Sequence, residues 1–356
     1  MKIALLGDAH WGARNDNQAF HEHFDKFYRN IFFPYLREQN ITEVIQLGDI
    51  FDRRKYINFL TLYKAREYFF DVINENNIKL TVLTGNHDTF FKNSNDVNSP
   101  DLLLGEYSTI DVVSSVRDKQ FGECKITLLP WICADNYNKS IEHIRSTDAQ
   151  ILMGHLELAG FEMHRGMFNE HGTLDIRELD KFDVVCSGHF HHISSRGNIH
   201  YLGTPYEMTW TDFQDPRGFH IFDTNTRELT FIRNPYCMFN KVHYNDSNTS
   251  LDELLSQDFS NLENSYVKVI VHNKENPYWF DKFINAIEKA GVLDLQVVDD
   301  HLNLNLEDDS DIIDEAEDTL TILRKVVDGI DTRVDKKDVE KMMTNLYNQA
   351  LQWSTV

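Results

Sequence analysis

Ala4-Leu5-Leu6-Gly7-Asp8-Ala9-His10 sets a short apolar run against a glycine and two residues able to hold a metal ion. The phrase returns four times: Ile45-Gln46-Leu47-Gly48-Asp49, Val82-Leu83-Thr84-Gly85-Asn86-His87-Asp88, Ile151-Leu152-Met153-Gly154-His155 and Val184-Val185-Cys186-Ser187-Gly188-His189-Phe190-His191. Short apolar runs closed by turn residues read as buried strands. Open α/β sheets bind ligands beyond the carboxyl ends of their strands. Five strands therefore deliver Asp, Asn and His to one rim, as a metal site requires.

The stretches between the phrases read as helices. Residues 20–37 carry Phe24, Phe27, Ile31 and Tyr35 at helical spacing, and residues 59–73 repeat this with Leu60, Tyr63, Tyr68 and Phe69. Strand, helix, strand in succession predicts an α/β fold with a largely parallel sheet. After Gly122 the strands crowd together, at 125–129, 199–202, 218–222 and 228–232, with turn residues Asp223-Thr224-Asn225 before the last, which predicts antiparallel pairing. The polar segment 245–260 reads as a boundary. Beyond it, a strand at 266–271, a helix at 277–290 and a strand at 294–298 make a small α/β cap. Two amphipathic helices follow, one lined by Ile312, Ala316, Leu320, Leu323 and Val327, the other by Val339, Met342, Met343, Leu346 and Ala350. The expected division is a core at 1–240, a cap at 241–305 and a helical segment at 306–356. The helix pair either packs on its own cap or docks helices of a partner.

A chain of 356 residues exceeds what a single hydrophobic core ordinarily reaches, roughly 250–300 residues. Its formal charge is −22, from 35 Lys+Arg against 57 Asp+Glu, which argues against a DNA reader with a broad basic face. It leaves a nuclease open, since bound divalent cations and a few arginines can attract phosphate. Much of the excess acid lies late, as in Glu307-Asp308-Asp309-Ser310-Asp311. The four cysteines show no CxxC pairing, which excludes a disulfide scaffold or zinc finger. The apolar run before Gly7 is too short for a signal peptide, and no run reaches the roughly 18 residues of a membrane span. A soluble, cytoplasmic protein is expected.

The candidate ligands are Asp8, His10, Asp49, Asn86, His155, His189 and His191. Asp8 and His10 stand two apart, so one strand end brings both to one ion. Asp49 has two oxygens, suited to bridge a pair of ions, and Asn86 supplies a neutral amide oxygen. Mixed N/O ligation without thiolate suits Mn, Fe or Zn better than Ca or Mg. This many ligands points to two ions roughly 3.5–4 Å apart, the geometry of phosphoryl transfer. One Asp after a strand is ordinarily a helix cap or a turn former; five phrases in order are not.

This ordered set resembles the calcineurin-like metallophosphoesterases, whose motifs are D-x-H, GD, GNH, GH and GHxH, over residues 1 to about 200. The resemblance implies a four-layer β-sandwich with flanking helices. One ion would be held by Asp8, His10, Asp49 and His191, the other by Asp49, Asn86, His155 and His189. His87 would protonate the leaving oxygen, with Asp88 or Asp52 available to orient it. The flanks Leu47-Gly48-Asp49-Ile50-Phe51-Asp52, Leu129-Pro130-Trp131-Ile132, Gly203-Thr204-Pro205-Tyr206-Glu207-Met208 and Pro216-Arg217-Gly218-Phe219 look like those of SbcD-type DNA repair and recombination nucleases, in the compact form of phage subunits. That narrower resemblance implies Mn²⁺-dependent cleavage of DNA, 3′→5′ on duplex ends and endonucleolytic on single strands. It also implies a homodimer, a host-cytoplasm location and an SMC-like ATPase partner gripped by the carboxyl-terminal helices.

Arg53 and Arg54, just past the Asp49 phrase, are candidate contacts to DNA phosphates. Lys268, Lys274, Lys282 and Lys289 of the cap read as ordinary solvated charges. Phe59, Leu60 and Tyr63 read as core packing rather than a dimer face, and Trp210 and Phe213 as core anchors rather than base-stacking groups. The rival function is a phosphatase or phosphodiesterase acting on protein or small-molecule phosphoesters. A metal-bearing scaffold without catalysis is the third.

Overall fold

Successive side chains of a strand point to opposite faces, and the strand Lys2–Leu6 buries both of them. Ile3 and Leu5 enter a core between two sheets, whereas Ala4 and Leu6 enter a second core beneath helices. A strand read as a continuous apolar run is thus a strand covered on both sides. The computed structural model describes residues 1–299 together with Lys336, Val339 and Met342. The chain divides into two compact units, Met1–Asn303 and Leu304–Val356.

The first sheet has six strands in the order Leu229–Arg233, Gly218–Asp223, Lys2–Leu6, Glu43–Gln46, Lys79–Leu83, Ile110–Val113. The last four run parallel, and Gly218–Asp223 pairs antiparallel against Lys2–Leu6. The second sheet runs Ser194–Arg196, Ile199–Tyr201, Val184–Gly188, Ile151–His155, Cys124–Leu129, Arg117–Phe121. Ile126, Leu128, Met153 and Cys186 of this sheet meet Ile3, Leu5, Ile45 and Leu83 of the first. Helices cover the outer faces: Phe24, Phe27, Phe69 and Phe70 on the first sheet, Ile141 and Ile144 on the second. Helix, sheet, sheet, helix is the four-layer sandwich that the sequence leads one to expect.

Both predicted long helices are present, each widened by a π turn, at Tyr28–Phe32 and at Arg66–Phe70. Two expectations are corrected. The strand Ile199–Tyr201 is parallel to Val184–Gly188, because the short strand Ser194–Arg196 makes the reversal before it. Phe59 and Tyr63 are not core residues: they are 90% and 59% exposed, and it is Thr61 and Ala65 of the same helix that turn inward.

The cap is a parallel sheet of Phe239–Asn245, Tyr266–Asn273 and Asp294–Asp299. Phe280, Phe283 and Ile287 of the helix Pro277–Lys289 pack on Val267, Val269 and Val271. Asn276 caps that helix by accepting from the backbone of Tyr278 and Trp279, and Pro277 begins it. Buried Glu207 fastens the cap's first strand by accepting from the N–H groups of Met238 (2.6 Å) and Phe239 (3.0 Å). Lys268 is not a solvated charge: it is buried, with its ammonium 4.2 Å from the Trp210 ring centroid, a cation–π contact. Trp210 is buried against Phe239. The expected carboxyl-terminal helix pair lies outside the described residues, except that Lys336, Val339 and Met342 are helical.

Candidate metal centre

The parallel strands of both sheets end on one rim, and the loops that leave them are laced together. The N–H groups of Ala9 and His10 donate to the carbonyl of Asp49 (both 3.0 Å), and that of Trp11 to Ile50 (2.8 Å). Asp88 accepts from Gly85 (2.9 Å), Ile50 (3.3 Å) and Phe51 (3.2 Å), binding the third loop to the second. Three candidate ligands leave their strands with positive φ: His10 (45°), Asp49 (53°) and His189 (84°). Side chains there are strained, which is a mark of functional positions. The phrase glycines are explained by close approach. A Cβ on Gly85 would lie 2.1 Å from Oδ1 of Asp49, and one on Gly188 would lie 2.5 Å from Oδ1 of Asp8.

Six of the seven candidate ligands fall into two groups, Asp8, His10 and His191, and Asp49, His155 and His189, and Asn86 joins the second. In the first, Nε2 of His10 and Nε2 of His191 are 3.1 Å apart, with Oδ2 of Asp8 at 3.9 Å and 3.7 Å from them. In the second, Oδ1 of Asn86 lies 2.9 Å from both Nε2 of His155 and Nδ1 of His189. Oδ2 of Asp49 lies between the groups, 3.4 Å from Nε2 of His155 and 4.0 Å from Nε2 of His10. Nδ1 of His155 donates to the carbonyl of Leu47 (2.7 Å), which turns Nε2 inward as a ligand nitrogen must be. Trp131 packs on the second group, its ring 5.2 Å from that of His189.

The electrostatics call for a cation. Burial, with Asp49 nearby, pushes the Asp8 carboxyl up to about 7. Burial works against an ionised Asp49 too, but His155 and His87 hold it well below the usual carboxylate range. Burial also opposes charge on His10 and His155. The carboxylate of Asp52, joined by Asp49 and Asp8, nevertheless raises His10 to about 10, and Asp49 raises His155 to about 9. His189 falls to about 3 and His191 well below its ordinary value, through burial and their histidine neighbours. Asp8, His10 and His155 thus hold protons for want of other counter-charge beside Asp49, and divalent ions would displace those protons. The donor set fits the ions that the sequence implies.

A third group, His10, Asp52 and His87, was not expected as a unit. His87 is oriented through the backbone of Asp52. Its Nδ1 donates to the backbone carbonyl of Asp52 (2.6 Å), while the Asp52 carboxylate stands 3.3 Å from Nδ1 of His10. Burial lowers the pKa of His87. Its backbone N–H donates to Oδ1 of Asp49 (2.7 Å), fixing ring and candidate ligand to each other. Arg217, unassigned from sequence, is buried and donates to the carbonyl of His191, to Thr204 (2.8 Å), and to Asp212 (2.7 Å) and Asp215 (2.8 Å). Its signal was the quoted Pro216-Arg217-Gly218-Phe219 flank. The two arginines differ. Arg53 is tied to Asp16 (3.2 Å), Asn15 (2.6 Å) and Tyr56 (2.7 Å). Arg54 is partly buried, which lowers its pKa, within the field of Asp49 and Asp88.

Residues 1–192 match the calcineurin-like phosphoesterase model. The chain belongs to that family. Exonuclease subunit 1 of Enterobacteria phage T4 is 35% identical over 355 residues, covering 99% of this chain and all of that protein. Among solved structures, an archaeal phosphodiesterase aligns with 66% of this chain and all of its own at 12% identity and a TM-score of 0.33. A glutamine-dependent NAD⁺ synthetase from Acinetobacter baumannii aligns with 98% of this chain and 72% of its own at 9% identity and a TM-score of 0.29. At these scores neither carries an argument. Membership makes the chain a metal-dependent phosphoesterase, and the clusters above are where this member could hold divalent ions. Among the described residues, no helix is long and apolar enough to cross a membrane.

Proposed function

We propose that this phosphoesterase is a Mn²⁺-dependent DNA nuclease, acting 3′→5′ on duplex ends and endonucleolytically on single strands, in recombination and double-strand break repair. The observation that carries the proposal is the pair of ligand groups meeting at Asp49, in a chain similar end to end to a phage exonuclease subunit. Asp8, His10, Asp49 and His191 would hold one ion, and Asp49, Asn86, His155 and His189 the other. Such ions supply Lewis acidity to the phosphoryl oxygens and a nucleophile at neutral pH. The chain's own residues do the remainder. Asp52 fixes the ring of His10, Leu47 fixes that of His155, and Trp131 packs against the ring of His189.

His87 is the general acid. With the Nδ1 proton engaged by the Asp52 carbonyl, Nε2 must first take up a second proton. Asp49 and the Asp52 carbonyl favour that imidazolium form against burial, and Nε2 then gives the proton to the departing 3′ oxygen. Arg54 is the better of the two arginines for a phosphate contact, because Arg53 is already engaged by Asp16.

The assembly proposed is a homodimer joined to an SMC-like ATPase in the host cytoplasm. Phe59, Leu60 and Tyr63 form an exposed apolar face, and Leu102, 72% exposed, lies on the neighbouring helix Ser99–Leu104, which Arg66 tethers at the Leu103 carbonyl (3.3 Å). Apolar faces of this kind mark interfaces. Phe59→Glu is expected to turn a dimer into a monomer in sedimentation; an unchanged dimer would place the interface elsewhere. The division into core, cap and residues 306–356 is proposed as functional, with the last as the docking segment. Pull-down of the ATPase by a chain ending at residue 305 would remove that role.

The test of the enzyme is release of nucleotides from 3′- and 5′-labelled duplex DNA by the purified chain in Mn²⁺. Metal-dependent loss of the 3′ label that EDTA stops is the expected result. Turnover of bis-p-nitrophenyl phosphate with DNA left intact would point instead to the small-molecule or phosphoprotein substrate class.

A further inference from the structure

Besides His87, a further histidine outside the seven candidate ligands stands beside the centre. His164 is on the hairpin of Glu162–His164 and Met167–Phe168, with its ring centroid 5.9 Å from that of His191 and the planes at 89°. The ring is half-buried, so part of it faces solvent. The base of the hairpin is firmly seated. Phe161 is buried against Tyr201 (4.9 Å between rings), Gly160 donates to the carbonyl of Asn169 (2.7 Å), and Asn169 to that of Phe161 (2.9 Å).

Its far side is fastened to the metal-binding loop. The residue after the last candidate ligand, His192, donates its N–H to the carbonyl of Met163 (3.2 Å). The His192 ring spans from Oε2 of Glu162 (3.4 Å) to Oδ2 of Asp215 (2.9 Å). Arg165 adds a second fastening, donating to the carbonyl of Gln214 (2.8 Å) with Asp215 at 3.8 Å. Asp215 is in turn held by Arg217, the residue that donates to the His191 carbonyl. Hairpin, ligand loop and the loop around Asp215 therefore form one network. That network holds an imidazole at the His191 edge of the centre, where nothing in the five phrases would have put one.

We propose that the Glu162–Phe168 hairpin is a strap whose His164 donates a hydrogen bond to a phosphate oxygen of the substrate on the His191 side, with His192 as the positioning residue that fastens it. The proposal rests on the diester reading above. In a chain of net charge −22, donors aimed at the rim matter more for an anionic substrate than the overall field does.

The experiment measures kcat and KM on labelled duplex DNA and on bis-p-nitrophenyl phosphate, with Mn²⁺ affinity by calorimetry, for the full chain and for His164→Ala, His192→Ala and the double variant. His164→Ala is expected to raise KM for DNA roughly tenfold, the loss of one hydrogen bond to a charged group, with kcat within about twofold and Mn²⁺ affinity unchanged. His192→Ala is expected to raise KM similarly and to add little on top of His164→Ala, as coupled residues do. Unchanged KM in His164→Ala overturns the proposal, and so does weakened Mn²⁺ binding, which would make His164 a support for His191. Full additivity of the two substitutions overturns the strap. If the unaltered chain cleaves only the small diester, the DNA reading fails by itself, and the same comparison is read on KM for that diester.

Discussion

Asp49→Ala is expected to remove Mn²⁺ binding at both positions and to lower hydrolysis by at least roughly 10³-fold, since the ions account for several kcal/mol of transition-state stabilisation. The reason is position. Oδ2 of Asp49 lies within 4.0 Å of both His10 and His155, and Oδ1 accepts from the backbone of His87. Removing it opens both groups at once. A second readout separates loss of metal from loss of fold. With Mn²⁺ at about 100 times its dissociation constant, one site stabilises the native state by about 2.7 kcal/mol, which raises Tm by roughly 3–5 °C in a chain this long. Asp49→Ala should fold, because it relieves one of two crowded carboxylates, yet show no such rise. A metal-induced rise in Tm equal to that of the unaltered chain would remove Asp49 from the bridging position.

His87→Ala is expected to behave in the opposite way: both ions bind, Tm rises with Mn²⁺ as before, and kcat on DNA falls roughly 10²–10⁴-fold, the range of a general acid. The leaving group supplies the control. A deoxyribose 3′ oxygen needs a proton as it departs, whereas p-nitrophenolate does not. The loss on bis-p-nitrophenyl phosphate should therefore stay within about tenfold. Equal losses on the two substrates would show that His87 positions rather than protonates. The backbone bond to Asp49 makes that a genuine alternative outcome, and calorimetry of Mn²⁺ binding distinguishes the two.

The five phrases were legible because each is local: a buried strand, a glycine at a point of close approach, and the candidate ligand. Gly85 illustrates why the pattern is strict, since the Asp49 carboxylate occupies the space a Cβ would need. What was not legible depends on contacts between distant residues. Asp52 was read as one of two carboxylates able to orient His87; in the structure its carbonyl does so, and its carboxylate turns to His10. Arg217 reaches the His191 carbonyl across 26 positions of sequence, and no local pattern reports such a bond. The aromatic residues of 59–73 have helical spacing, but spacing alone does not say which face is inside, and Phe59 and Tyr63 prove to be outside. Lys268 was read as a solvated charge because its buried neighbour, Trp210, lies in another element.

The position of the first strand has a consequence for how the chain is made. Lys2–Leu6 is central in its sheet, with Glu43–Gln46 on one side and Gly218–Asp223 on the other. It leaves the ribosome before the other strands of its sheet, yet one of its edges stays open until residue 223 has emerged. At roughly 5–20 residues per second that wait is about 10–40 s, longer than the folding time of most small domains. The candidate ligands are split by the same interval: Asp8, His10, Asp49 and Asn86 emerge early, and His155, His189 and His191 late. A half-made chain would therefore carry only part of the proposed ion site, and its last candidate ligand, His191, emerges shortly before the strand that seals the sheet.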